Sequence, residues 1–264
     1  MMIEAKKSFG QNFLINKKIQ NAIVEAADII EKDVIEIGPG QGALTDILVQ
    51  KVKSLVAYEL DPRLYEYLKT KNYLANIKIL NQDFLTANFS DNYTDQISII
   101  GNIPYNITSP ILFKILDNYL MIDSATLMVQ KEVAQRLVAT PSSKIYGKLS
   151  ITFQIFGNIK KIIDVNAAQF IPAPKVDSAV VKIDFIHNND YINENKDKII
   201  EFVALCFQFK RKTLVNNLLG RYSKEKITSS FSKLNLKLNI RAENLSRKNI
   251  LDLFAILENK KMPV

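Results

Sequence analysis

Val34-Ile35-Glu36-Ile37-Gly38-Pro39-Gly40-Gln41-Gly42 is the stretch on which the fold turns. A β-branched run from Asp33 to Ile37 stops abruptly at three glycines in alternate positions, and Ala43 to Val52 then reads as a helix. Glycines are needed where the backbone takes a positive φ or approaches a ligand with no Cβ in the way. A turn at the carboxyl end of a first strand is where doubly wound sheets bind ligands. The spacing is G-x-G-x-G and not the G-x-G-x-x-G of dinucleotide folds, and a tight connection with no ligand is the simpler alternative. Outward from this turn the elements alternate. Ile19, Ala22, Ile23, Ala26 and Ala27 predict a helix over 17–30. Strands follow at 54–59, 77–81, 96–100 and 124–129, with helices at 61–71, 108–120 and 131–139. Two last strands are expected at 149–156 and 178–186, separated by a long loop containing Pro172 and Pro174. Alternation of this kind predicts an α/β domain with a mostly parallel sheet covered on both faces. After His187 a polar linker, 188–195, leads into helix-like segments only. Two domains are therefore expected, 1–187 doubly wound and 188–264 small and all-helical.

The chain has 264 residues, 47% hydrophobic and 23% charged, which is the balance of an ordinary soluble globular protein and excludes a disordered one. No stretch approaches the roughly 18 apolar residues of a membrane span. Met1 to Lys7 lacks the apolar core of a signal peptide, so a cytosolic protein with no membrane partner is expected. One cysteine, Cys206, and one histidine, His187, argue against a disulfide and against a metal centre. Cys206, on an apolar helix face with Phe202 and Phe209, reads as structural, as does His187 at the domain junction. The net charge of +8 is unevenly spread: residues 1–187 carry 20 basic and 19 acidic side chains, residues 188–264 carry 15 and 8. That segregation points to a polyanion such as nucleic acid, with a solvated basic face as the alternative.

Acids end the strands beside the glycine turn. Glu59, 21 positions after Gly38, stands where a carboxylate would accept hydrogen bonds from both ribose hydroxyls. Asp83, in Asn81-Gln82-Asp83-Phe84, could accept from an adenine amino group, although a turn-capping role explains it equally. Together these residues favour an adenosine-containing cofactor over a nicotinamide dinucleotide. Gly101-Asn102-Ile103-Pro104-Tyr105-Asn106 closes the fourth strand. An exocyclic amine on a nucleobase is a poor nucleophile, because its lone pair is delocalised into the ring. The Asn102 amide oxygen and the Ile103 carbonyl, restrained by Pro104, could both accept from such an amine and aim its lone pair at an electrophilic methyl group. Tyr105 could stack on an extruded base. The plain alternative is an Asn-x-Pro turn with Tyr105 as packing.

Lys7-Ser8-Phe9-Gly10-Gln11-Asn12-Phe13-Leu14, the Glu36–Gly42 loop and Asn102-Ile103-Pro104-Tyr105 together resemble the rRNA adenine N6-dimethyltransferases. The likeness extends through Val129 to Arg136, Tyr146 to Ser150 and Phe170 to Ser178, nearly the whole chain. It implies a Rossmann-like, S-adenosylmethionine-dependent methyltransferase domain with a small C-terminal helical domain. Lys175 to Val181 and Phe209 to Leu218 resemble the housekeeping KsgA/RsmA branch, which dimethylates two adjacent adenosines in the 3′-terminal hairpin of 16S rRNA and takes part in ribosome biogenesis. Ala173 departs from that branch, which usually has proline there. The resemblance implies cofactor contacts from Asn12, Leu14, Gly38, Glu59, Asp83 and Asn102. It implies catalytic roles for Asn102, Pro104, Tyr105 and Phe170, the two aromatics flanking the flipped adenine, with loop packing an equal reading of Phe170. It also implies phosphate contacts from Lys210, Arg211 and Lys212, with a solvated helix end as the alternative. The expected partner is 16S rRNA within the small ribosomal subunit or its precursor, bound by a monomer in the cytoplasm. The alternatives are an Erm-type enzyme acting on 23S rRNA, an assembly factor in which methylation is secondary, and a nicotinamide-dependent oxidoreductase. The last leaves Asn102 to Tyr105 and the basic C-terminal region without a use.

Overall fold

Nine strands and eleven α-helices lie within the residues described by the computed structural model, 3–6 and 9–260. Lys7 and Ser8 of the N-terminal motif lie outside them. The strands are β1 (Phe13–Leu14), β2 (Asp33–Ile37), β3 (Ser54–Tyr58), β4 (Ile77–Leu80), β5 (Ile97–Asn102), β6 (Ile122–Gln130), β7 (Gly157–Val165), β8 (Phe170–Ile171) and β9 (Ser178–Phe185). Seven of them form one sheet in the order β4-β3-β2-β5-β6-β9-β7, and β1 pairs with β8 in a separate two-stranded ladder. β4, β3, β2, β5 and β6 are mutually parallel, and β9 runs antiparallel to β6. From β2 the chain builds outward first through β3 and β4, then on the other side through β5 and β6. The β2/β5 pair is therefore the switch point at which an open α/β sheet offers a crevice. Val34, Ile35, Glu36 and Ile37 are all buried, as befits a central strand covered on both faces. In register, Ile37 faces Tyr58 on one side and Gly101 on the other, so three strands end level with one another.

The helices of the sheet unit are α1 (Lys17–Ala27), α2 (Thr45–Leu48), α3 (Pro62–Lys69) and α4 (Thr108–Asp117), and α5 (Lys131–Leu137) starts in it. Asn16 caps α1 by accepting from the Lys18 and Ile19 amides, and Asp28 at φ +53 ends it three residues short of the expected helix. Asp61 caps α3, and Pro62 occupies the first turn, where its missing N–H costs nothing.

The chain divides into two compact units: Met1–Ala134 with Asn158–Phe185, and Gln135–Gly157 with Ile186–Val264. The second holds α6 (Lys148–Phe156), α7 (Asp190–Glu194), α8 (Lys196–Cys206), α9 (Leu214–Leu218), α10 (Lys224–Lys233) and α11 (Arg247–Leu257). Its interior includes Tyr146, Phe202, Phe231 and Phe254, with the Phe202 and Phe254 rings 5.5 Å apart. Three expectations are corrected here. Residues 149–156, read as a strand, form helix α6, and the strand lies just after it as β7. Leu149, Ile151, Phe153 and Ile155 alternate with Ser150, Thr152 and Gln154, but Ser150 and Thr152 are as buried as their apolar neighbours. A helix buried on nearly every side shows no 3.6-residue stripe, and its alternation mimics a strand. The single boundary after residue 187 gives way to a discontinuous division, because α6 packs on α8 and α11. The linker 188–195 contains α7, capped by the Asn189 side chain on the Ile192 amide. Regrouping sharpens the charge contrast: the sheet unit has 17 basic and 19 acidic side chains, net −2, and the helical unit 18 and 8, net +10. Among the described residues no helix is long and apolar enough to cross a membrane.

Candidate active site

The glycine turn at the end of β2 takes positive φ at Gly38 (+63°), Gly40 (+60°) and Gly42 (+86°), conformations that L side chains rarely adopt. A Cβ added at Gly38 would meet nothing within 4 Å, so the backbone there is bare toward a cavity. The turn is fixed from behind by Lys71, whose ammonium donates to the Gln41 carbonyl at 2.9 Å and to both Asp46 oxygens at 2.8 Å. Glu59, immediately after β3, accepts from the Gly40 amide at 3.0 Å and the Asp61 amide at 2.8 Å. Burial pushes its carboxyl pKa up, and those backbone donors pull it back. Glu36, 1% exposed, is a buried acid that also faces the cavity. Burial pushes it up to about 8, opposed by the Thr45 hydroxyl, which donates to it at 2.7 Å.

At the end of β4, Asp83 accepts from the Leu85 amide at 2.9 Å and so caps the 84–86 turn while lining the cavity. Gly101 is needed in β5 for close approach, since a Cβ there would stand 2.7 Å from the Ile37 carbonyl. Beyond it, the Asn102 amide nitrogen donates to the Asn12 carbonyl at 2.9 Å. The Pro104 carbonyl accepts from the Ile107 amide and the Thr108 hydroxyl, both at 3.3 Å, which closes the turn carrying Tyr105. The Tyr105 phenol hydrogen-bonds the Ser178 hydroxyl, and burial raises its pKa.

The N-terminal segment forms the remaining wall. Gln11 donates to Asp61 at 3.0 Å, and the Arg63 guanidinium grips the same carboxylate at 2.6 and 3.1 Å. Chiefly through Arg63, the Asp61 carboxyl is held down to about 2. One cavity of about 820 Å³ gathers Asn12, Leu14, Gly38, Glu59 and Asp83 with Asn102, Pro104 and Tyr105. Phe170 does not join them. It sits in β8 opposite Leu14, 2% exposed in the hydrophobic core, and its neighbours Ile171 and Pro172 face the cavity instead. In the Leu14–Phe170 pairing the ring lies inward, which fits the packing alternative and not a place beside a base. Lys210, Arg211 and Lys212 belong to the helical unit, exposed on the turn between α8 and α9. The buried Asn217 amide braces that turn, donating to the Cys206 carbonyl at 2.7 Å and accepting from the Phe209 amide at 3.0 Å. Phe209, expected on one face with Cys206, lies past the end of α8 and is 55% exposed. The sequence reading missed Gln11 and Asp61; the Asp61-Pro62 pair is a helix-start signal, but nothing local shows that its carboxylate also reaches residue 11. Among the described residues no group of three metal-ligating side chains is placed to hold an ion.

A parallel sheet with one antiparallel strand beyond β6, and a cavity at its switch point walled by a glycine turn and strand-end acids, make this a Rossmann-like methyltransferase fold. The sequence matches the ribosomal RNA adenine dimethylase family over residues 2–259, and the chain belongs to that family. It is 48% identical over 261 residues to the ribosomal RNA small subunit methyltransferase A of Metamycoplasma arthritidis, covering 99% of each chain. It is 46% identical over 240 residues to the protein of that name from Mycoplasma mobile, covering 91% of this chain and 93% of the other. Among solved structures, a dimethyladenosine transferase from Plasmodium falciparum superposes with a TM-score of 0.83 at 28% identity, covering 95% of this chain and 99% of that one. The 23S rRNA methyltransferase ErmE gives 0.75 at 28% identity, covering 94% and 100%.

Proposed function

We propose that this chain is an S-adenosylmethionine-dependent enzyme that dimethylates N6 of two adjacent adenosines in the 3′-terminal hairpin of 16S rRNA, on the small subunit or its precursor in the cytoplasm. The observation that carries the reading is the convergence of Gly38, Glu59, Asp83 and Asn102 on one cavity. Relatives at 46–48% identity bear the small-subunit name, which supports this substrate over 23S rRNA. The residues fit the cofactor: Gly38 leaves open the space a Cβ would fill, Glu59 lines the cavity with a carboxylate able to accept from ribose hydroxyls, and Asp83 with Phe84 lines the same wall, where adenine would lie. When bound, S-adenosylmethionine would supply an electrophilic methyl group, its S–CH₃ bond breaking to leave S-adenosylhomocysteine.

The chain's own contribution is positioning and electrostatics. The Asn102 Oδ1 and the Ile103 carbonyl accept from the target amine and favour tetrahedral character at nitrogen. Tyr105 stacks on the extruded base, with its phenol anchored on Ser178. No general base acts before attack, because the amine proton leaves after the new N–C bond forms. The second transfer starts from an amine with one hydrogen, so the two acceptors cannot both depend on amine hydrogens in that round. Lys210, Arg211 and Lys212 meet RNA phosphates, and the +10 charge of the helical unit supports that docking.

The test incubates the protein and S-adenosylmethionine with unmethylated small subunits and, separately, with large-subunit rRNA, then reads nucleosides by mass spectrometry. Dimethyladenosine in small-subunit rRNA alone is expected. The same product in large-subunit rRNA alone would refute the substrate assignment.

A further inference from the structure

The N-terminal segment is tied to three parts of the cavity wall. Gln41 donates to the Ile3 carbonyl at 2.9 Å, and the Phe13 ring lies 3.3 Å from where a Cβ on Gly40 would stand. Gln11 reaches Asp61, whose carboxylate is fully buried beneath Arg63. At the third point the Asn102 amide nitrogen meets the Asn12 main-chain carbonyl at 2.9 Å. A carbonyl oxygen has only lone pairs, so the Asn102 amide must turn its NH₂ toward residue 12 and its Oδ1 the other way. Rotation about the last torsion of an asparagine is broad and nearly two-fold, so without such a partner the amide exchanges its ends freely. A reversed amide would offer a donor to an amine that is itself a donor.

We propose that the N-terminal segment is a positioning element for the methyl transfer itself: the Asn12 carbonyl sets the Asn102 amide so that Oδ1 faces the target amine, and the Gln11–Asp61–Arg63 contact holds that carbonyl in place. This rests on the functional reading above. These contacts make one segment serve both the cofactor wall and the acceptor for the base. A segment that merely covered the cofactor would act through affinity alone, and saturating cofactor would erase its loss.

The test compares wild type and Gln11→Ala in single-turnover methylation of small subunits at saturating S-adenosylmethionine, with S-adenosylhomocysteine affinity from calorimetry and a thermal melt of each protein. Gln11→Glu, which sets a carboxylate against Asp61, serves as a second way to release the segment. Both variants are expected to transfer methyl about fivefold more slowly even at saturation. In an Asn102→Ala background, where no amide remains to be oriented, Gln11→Ala is expected to change the rate less than about twofold. Recovery of the full rate at saturating cofactor, or the same fivefold loss in both backgrounds, overturns the proposal. A wild-type protein that makes no dimethyladenosine in small-subunit rRNA overturns the functional reading and this inference with it.

Discussion

The two units use charge in opposite ways. In the sheet unit, net −2, the acids that matter are buried and already engaged: Glu59 by two backbone amides, Asp61 by Arg63, Glu36 by Thr45. In the helical unit, net +10, Lys210, Arg211 and Lys212 are exposed on a turn, and the buried Asn217 amide braces that turn. A buried polar group acts through its geometry and fails when moved, whereas an exposed charge acts through summed potential and fails in proportion. The largest expected effect therefore belongs to the sheet unit. Asn102→Ala is expected to slow methyl transfer by roughly 10³-fold while S-adenosylhomocysteine affinity changes by less than about tenfold. Near-normal transfer by this variant in the mass-spectrometric assay would end the amine-orienting role.

The matching change in the helical unit is replacement of Lys210, Arg211 and Lys212 together by alanine. RNA affinity is expected to fall, and the slope of log affinity against log salt to shrink by about 2 to 3, as fitting three lost phosphate contacts. Cofactor affinity is expected to stay at the wild-type value, since all three side chains lie exposed in the other unit. An unchanged salt slope would mean that these cations do not meet phosphate.

The same contrast explains what was legible in the sequence. The Glu36–Gly42 turn, Glu59 and Asn102 to Tyr105 end consecutive strands of a parallel sheet, so locating the strands located the wall. What escaped was set by partners far along the chain. Whether Phe170 packs or stacks depends on Leu14, 156 positions earlier, and no local pattern carries that pairing. Helix α6 was hidden because its polar residues also turn to protein partners: buried Ser150 donates to the Arg136 carbonyl at 2.5 Å, and half-buried Gln154 donates to those of Leu137 and Ala139. Alternation signals a half-exposed strand only when the polar residues face water.

Glu36 tests how far the buried acids of the sheet unit stabilise it. Its folded-state pKa, about 8, lies above the unfolded value, so the folded state binds the proton more tightly. The stability it contributes is complete below pH about 4.5 and is lost as pH rises through about 8. Glu36→Gln removes the ionisation, so its melting temperature is expected to exceed that of wild type at pH 9, by an amount worth on the order of a few kcal/mol, and to differ little at pH 5. Parallel melting curves from pH 5 to 9 would show instead that Glu36 ionises without cost where it lies.

Phe170 and Tyr105 give the smallest and most discriminating pair, because both were expected to flank the base and only Tyr105 faces the cavity. Phe170→Leu keeps an apolar side chain in the core at a cost of about 1 kcal/mol in stability, and is expected to leave the rate at saturating substrate within about twofold of wild type. Tyr105→Leu removes the ring and the anchor on Ser178, and is expected to lower that rate by about tenfold or more, because base–aromatic stacking is worth about 1–3 kcal/mol. Denaturant melts and single-turnover rates on the two variants separate packing from stacking. If Phe170→Leu lost rate as Tyr105→Leu does while remaining as stable as wild type, the ring would have to leave the Leu14 pairing when RNA binds. The β1–β8 ladder, which now holds Phe170 inward, would then be a moving part of the site.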